Sequence, residues 1–150
     1  MMTDAFLQLS SSQAVTASAV STNTIDLSVA RDIAVGKPLY LMITVDEAAT
    51  AAGAATVTFQ AITSAAAALT SPTIVSQTDA IGKAELTVGH EPIIIPIAPA
   101  LLAAQPVGQR YLGVQYTVAT GPLTAGKFSC TVVADVHASN INYASGFSVA

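Results

Sequence analysis

The stretch Arg110 to Val136, RYLGVQYTVATGPLTAGKFSCTVVADV, constrains the fold more than any other part of this 150-residue chain. In its first half Leu112, Val114, Tyr116 and Val118 fall on one face, and Tyr111, Gly113, Gln115 and Thr117 on the other. In its second half Phe128, Cys130, Val132, Ala134 and Val136 oppose Ser129, Thr131, Val133 and Asp135. Only a strand sends successive side chains to opposite faces, so both halves are predicted to be half-buried strands. Between them Thr120 to Gly126 supplies two glycines and a proline, which favour turning and oppose ladder pairing. The pattern predicts a long antiparallel hairpin, Tyr111–Ala119 paired with Lys127–Val136, with arms of about 30 Å. A lone hairpin is not stable in water, so the rest of the chain must supply further strands or a second sheet to cover it.

Chain length suits one domain with a sizeable core. Charge is the unusual quantity: 9% of residues are charged and 52% are hydrophobic, against roughly a quarter charged in an ordinary soluble domain. A solvent face built from Thr, Ser, Gln and Ala favours association, so a homo-oligomer or larger assembly is expected. The net charge is −4 and the isoelectric point near 4.7. The five basic residues, Arg31, Lys37, Lys83, Arg110 and Lys127, are scattered, which argues against a nucleic-acid partner. The single cysteine, Cys130, cannot form an internal disulfide and reads as a small buried hydrophobe.

No membrane partner is expected either. Ala48 to Thr78 and Pro92 to Gln109 carry no charge. Polar residues, Gly53 and Pro72 interrupt the first run, and four prolines forbid a helix in the second. The N-terminus lacks the cationic region and apolar core of a secretory signal, so synthesis and retention in a cytoplasm are expected.

Taken in order, residues 1–12 read as an N-terminal arm, 13–137 as the folded domain and 138–150 as a C-terminal tail. Strands are predicted over Gln13 to Val20 and Ser21 to Leu27 (two short strands, or one with a bulge), Leu39 to Val45, Thr56 to Thr63, Thr73 to Gln77 and Ile93 to Ile97, with a minor one at Ala84 to Val88. The prolines flanking Ile93 to Ile97 place it at a sheet edge or a sheet end. Loops are predicted at Ser28 to Pro38, with Arg31 beside Asp32 as an exposed ion pair, and at Asp46 to Ala55. About eight strands and no periodic helix indicate an all-β antiparallel sandwich, with the jelly roll first and an immunoglobulin-like sandwich second.

Chemistry-bearing patterns are not found. His90 lies in a Gly-His-Glu-Pro turn, and His137 has no histidine or cysteine at ligand spacing. Asp46 and Glu47 are adjacent, the other acids are dispersed, and no phosphate-binding glycine motif occurs. The expectation is a protein with no catalytic residues, no metal and no cofactor.

The segments STNTIDL (residues 21–27), ARDI followed two residues later by GKPLYL (30–41), and YTVATGP followed one residue later by TAGKF (116–128) are more specific. With the longer stretches around them, the sequence resembles the small capsid cement proteins of tailed bacteriophages, nearest to the type on the short-tailed Bordetella phage head. That resemblance implies a jelly roll on the outer surface of the virion. There it would bind the major capsid protein shell and bridge capsomers, as a dimer or alternatively a trimer. Strand edges and termini could add strands to a neighbour's sheet. Expected contact residues are large apolar side chains in segments too short or too polar to bury them: Phe6, Leu7 and Leu9 in the arm, Leu123 in the hairpin loop, and Tyr143 and Phe147 in the tail. The competing reading is a head-surface module that contacts host glycans.

Overall fold

The computed structural model describes residues 4–27 and 37–136. After a single 3-10 turn at Ala5–Leu7, the strands are β1 (Gln8–Ala14), β2 (Ala19–Val20), β3 (Ile25–Asp26), β4 (Leu39–Thr50), β5 (Thr56–Ser64) and β6 (Thr73–Gln77). They continue as β7 (Ile81–Gly82), β8 (Ile93–Ile97), β9 (Tyr111–Ala119) and β10 (Ala125–Val133), with one short helix, α1 (Pro99–Ala103), between β8 and β9. Two antiparallel sheets form. One has the order β1-β10-β4-β8; the other has the order β2-β9-β5-β6, with β3 also on β9 and β7 also on β5. The all-β sandwich expected from the alternation is the observed fold. No helix among the described residues is long and apolar enough to cross a membrane.

The predicted hairpin does not form. β9 pairs with β2, β3 and β5, whereas β10 pairs with β1 and β4 in the opposite sheet. The loop between them crosses the sandwich. Thr120 and Gly121 take positive φ of 61° and 101°, a region that glycine enters without steric cost. Leu123 then turns inward, and the loop amides of Leu123 and Thr124 donate to Thr16 O and Thr50 O. Both arms are apolar on one face only. Placing them in facing sheets lets each cover the other, which side-by-side pairing cannot do.

The core is centred on three rings. Phe59 and Tyr116 come from one sheet and Phe128 from the other. Phe59 meets both partners edge-on at 5.8 and 5.2 Å, and Tyr116 stacks on Phe128 at 5.7 Å, arrangements aromatic quadrupoles favour. Around them the inward positions of β4 (Leu41, Ile43, Val45), β8 (Ile93, Ile95, Ile97) and β10 (Cys130, Val132) are buried, each large apolar side chain contributing about 1.5–3 kcal/mol. Tyr116 also brings a hydroxyl into this core. It donates to Ser10 Oγ at 2.8 Å, and Ser10 donates in turn to Gln13 Oε1 at 2.9 Å. The buried polar group is thus satisfied, and β1 is tied across to the other sheet.

Several boundaries differ from expectation, each for a local reason. β1 starts at Gln8, so residues 8–12 of the predicted arm are a sheet strand, held to β10 through two bulges. β4 runs through the predicted loop to Thr50, because β10 continues beside it as far as Ala125↔Thr50. The Ala84 to Val88 strand is absent; Leu86 is instead buried in the core from a turn, its carbonyl accepting from Ala49 N–H. The proline-rich run does hold a helix, because Pro99 occupies its first turn, where a missing N–H costs nothing. β10 ends at Val133 rather than Val136.

Candidate functional site

Six apolar residues were expected to reach out of the domain, and the structure separates them. Leu9 and Leu123 are core residues, 0% and 3% exposed, which removes them from any contact surface. The reason is register. Leu9 lies inward in β1 between Gln8 and Ser10, which pair with Thr131 and Cys130 of β10, and Leu123 closes the crossing loop from within. Leu7 is partly buried against the core. Phe6 stands 91% exposed on the 3-10 turn, a turn closed by Asp4, whose Oδ1 accepts from Phe6 N–H at 2.9 Å. Tyr143 and Phe147 lie outside the described residues, as do His137, the Arg31–Asp32 pair and the tail 138–150.

Alternation missed the other exposed apolar side chains because they sit in connections or at a strand end: Ile74, Val88, Leu101 and Val107. Register fixes where they are. Leu39↔Ile97, Tyr40↔Val133 and Gln8↔Thr131 mark one end of the first sheet; Ser64↔Tyr111 and Thr63↔Thr73 mark one end of the second. α1 leaves the end of β8 and packs against β6, Gln105 just beyond it accepts from Thr63 Oγ1 at 3.0 Å, and Arg110 N–H donates to Ser64 O. These bonds make the two sheet ends one end of the sandwich. Phe6, Ile74, Leu101 and Val107 are all there. The sequence signal was available in the two charge-free runs, which alternation does not read.

The same end holds an ion pair. Arg110 forks onto both carboxylate oxygens of Asp26 at 2.8 and 2.7 Å, and its guanidinium lies 5.2 Å from the Tyr111 ring centroid. The hydrogen bond to Asp26 raises the Arg110 pKa above its ordinary value. At the opposite end Lys127 pairs with Glu47 at 2.7 Å, and that hydrogen bond likewise raises the lysine. Lys83 Nζ donates to Ala51 O there. On the outer face of the first sheet Asp46 Oδ2 accepts from Ser12 Oγ at 2.9 Å and Ser129 Oγ at 2.5 Å. This clip joins β1, β10 and β4.

Titratable groups are otherwise arranged for packing. Cys130 is fully buried, and burial pushes its thiol far up; burial does the same to the Tyr116 hydroxyl. Neither group is poised for nucleophilic or acid–base work at neutral pH. His90 sits in a turn with Nδ1 on Glu91 O at 2.6 Å. Among the described residues no three His, Cys, Asp or Glu come together to hold a metal.

No curated protein matches the sequence. A family model, Bbp16, matches residues 9–132, most of the chain and nearly all of the sandwich. The chain therefore belongs to the Bbp16 family, a family of Bordetella phage proteins.

Proposed function

We propose that this chain is a structural protein of the virion. It binds the outside of the major capsid protein shell, bridges neighbouring capsomers and stabilises the DNA-filled head, with no catalytic role. The observation that carries this reading is the Bbp16 match over residues 9–132. Two properties of the molecule support it. Its surface is poor in charge, as suits a chain that spends its working life against other chains. Its strand order supports a jelly roll: β1-β10-β4-β8 faces β2-β9-β5-β6, so most connections pass from one sheet to the other, as in the double-sheet rolls of capsid proteins.

Stabilisation of this kind is mass action. A protein that binds the closed, expanded shell and not its precursors or fragments shifts the equilibrium toward the closed form by its binding free energy. Many copies on one lattice multiply modest contacts into a large total. Strand addition contributes little at the start of β1, where carbonyls are already taken: Leu9 O accepts from Asn23 N–H, and Gln8 O from Asn23 Nδ2. Contact through loops and ends is the better fit, with a dimer of this chain as the binding unit.

The test is decoration. Heads lacking the protein are mixed with the purified chain, pelleted, and scored by gel and negative-stain imaging, alongside a DNA-release melting curve. Added density outside the shell and a higher release temperature are expected. Absence of any pelleting at saturating protein would overturn the reading.

A further inference from the structure

We infer that the edge of β8 is built to refuse a further strand, whether from a second copy of this chain or from an extended segment of another protein. The free chain carries this device whatever its partner. Among the described residues β8 is the last strand of its sheet, beyond β4. In its register Leu39↔Ile97, Leu41↔Ile95 and Ile43↔Ile93 alternate with Tyr40↔Pro96 and Met42↔Ile94. In an antiparallel pair, alternate residues turn both their N–H and C=O groups toward the partner strand, and the rest turn them away. Pro96 belongs to the second set. It has no N–H to give β4, and its carbonyl accepts from Ser76 Oγ of β6 at 2.8 Å. Ile94 and Pro92 share its parity. Of these three outward positions only Ile94 can donate, and the Pro96 carbonyl is already taken.

An open edge presents a row of unpaired groups that templates pairing with another chain. The hazard is acute for β8, whose sequence IIIPI is β-branched and uncharged. Two copies related by a two-fold axis through Ile95 would set Ile94 of each opposite Pro96 of the other. Each such pair would exchange two backbone bonds. Proline deletes one of them, and Ser76 competes for the other. The remaining edges are blunted by different means. β6, last in the facing sheet, carries a bulge in its pairing with β5. β2 and β3 are two residues each. β1 carries two bulges, and Gln13 at its end bonds across to Val20 O and Thr22 N–H. Bulges and short strands both deny a newcomer a regular ladder.

The experiment opens the edge in the full chain. Pro96→Val restores an N–H at an exposed position, and Ser76→Ala frees the carbonyl. Sedimentation over a range of protein concentrations, with wild type alongside, reads association. The double variant is expected to form an assembly of twice the wild-type species' mass, which wild type does not form even at about tenfold higher concentration. Hydrogen exchange at the Ile94 amide locates the contact: fast in wild type, and protected in the associated variant. Sedimentation of the double variant indistinguishable from wild type over that range overturns the inference. Association without protection at Ile94 overturns it too, because the contact then lies elsewhere. Protection of Ile94 in wild type does the same, since the edge would already hold a partner. Pro96→Ala alone, which leaves Ser76 in place, serves if the double variant fails to fold. It is expected to associate beyond wild type, and equality with wild type again overturns the inference.

Discussion

Leu9→Ala offers the sharpest test of where the N-terminal arm ends and the core begins. Leu9 and Phe6 are three residues apart and both large and apolar, yet one is 0% and the other 91% exposed. Truncating Leu9 removes buried methyl groups and leaves a cavity between β1 and the core, a change that costs about 2–5 kcal/mol in well-packed sites. Near the middle of that range, about 3 kcal/mol, the melting temperature of a domain this size should fall by roughly 6–12 °C. Phe6→Ala removes nothing that is buried and should stay within about 0.5 kcal/mol. Urea denaturation at one fixed protein concentration measures both, with equal slopes confirming that midpoints can be compared. Equal midpoints for Leu9→Ala and wild type would refute the placement of β1 in the sheet, and with it the view that the arm stops before Gln8.

Gly113→Ala should destabilise by about 1–3 kcal/mol, because its Cβ would lie 2.3 Å from Leu69 Cδ1 on the outer face of β9; Leu69→Ala in the same chain should recover part of that loss, and a strictly additive double mutant would show that the two do not touch. Cys130 should resist thiol labelling at pH 8 in the native protein and react fully in urea; fast native labelling would place it outside the core. Stability should hold steady below the ordinary cysteine pKa of about 8.5 and fall above it, more steeply beyond about 10. The sign follows from burial: Cys130 and Tyr116 have raised values when folded, so only the unfolded chain releases their protons as pH rises. Cys130→Ala with Tyr116→Phe should flatten this alkaline slope, and an unchanged slope would assign it to other groups.

Alternation identified the strands because it reports which side chains share a face. Leu112, Val114 and Tyr116, and equally Phe128, Cys130 and Val132, are buried as their spacing predicts. Partner choice is a separate quantity. The five residues between β9 and β10 suffice either for a turn within one sheet or for a crossing between two, and the local pattern is the same in both. What decides here lies far away in sequence: β4 and β1 flank β10, and β5 flanks β9. Similar distance hides the fate of Leu9. Its neighbours Ser10 to Ser12 look like a polar arm, but Ser10 is the acceptor for the buried Tyr116 hydroxyl 106 residues away.

The exposed apolar side chains at one end of the sandwich were hidden for a different reason. Apolar residues that serve a core recur with the period of their element, so a search by period finds them. Residues that serve an external surface obey the geometry of that surface and need no period within their own chain. Ile74, Leu101 and Val107 come from a strand, a five-residue helix and a loop, and nothing in their spacing relates them. Only absence of charge over residues 48–78 and 92–109 marks the two segments in the sequence. A run without charge is ambiguous, since it serves equally for a buried strand such as β5 and for an exposed connection such as 98–109. The fold resolves the ambiguity by burying the first and leaving the second outside. What stays exposed of the second, Leu101 and Val107, lies with Ile74 of β6 at the end of the sandwich where Ser64 pairs with Tyr111.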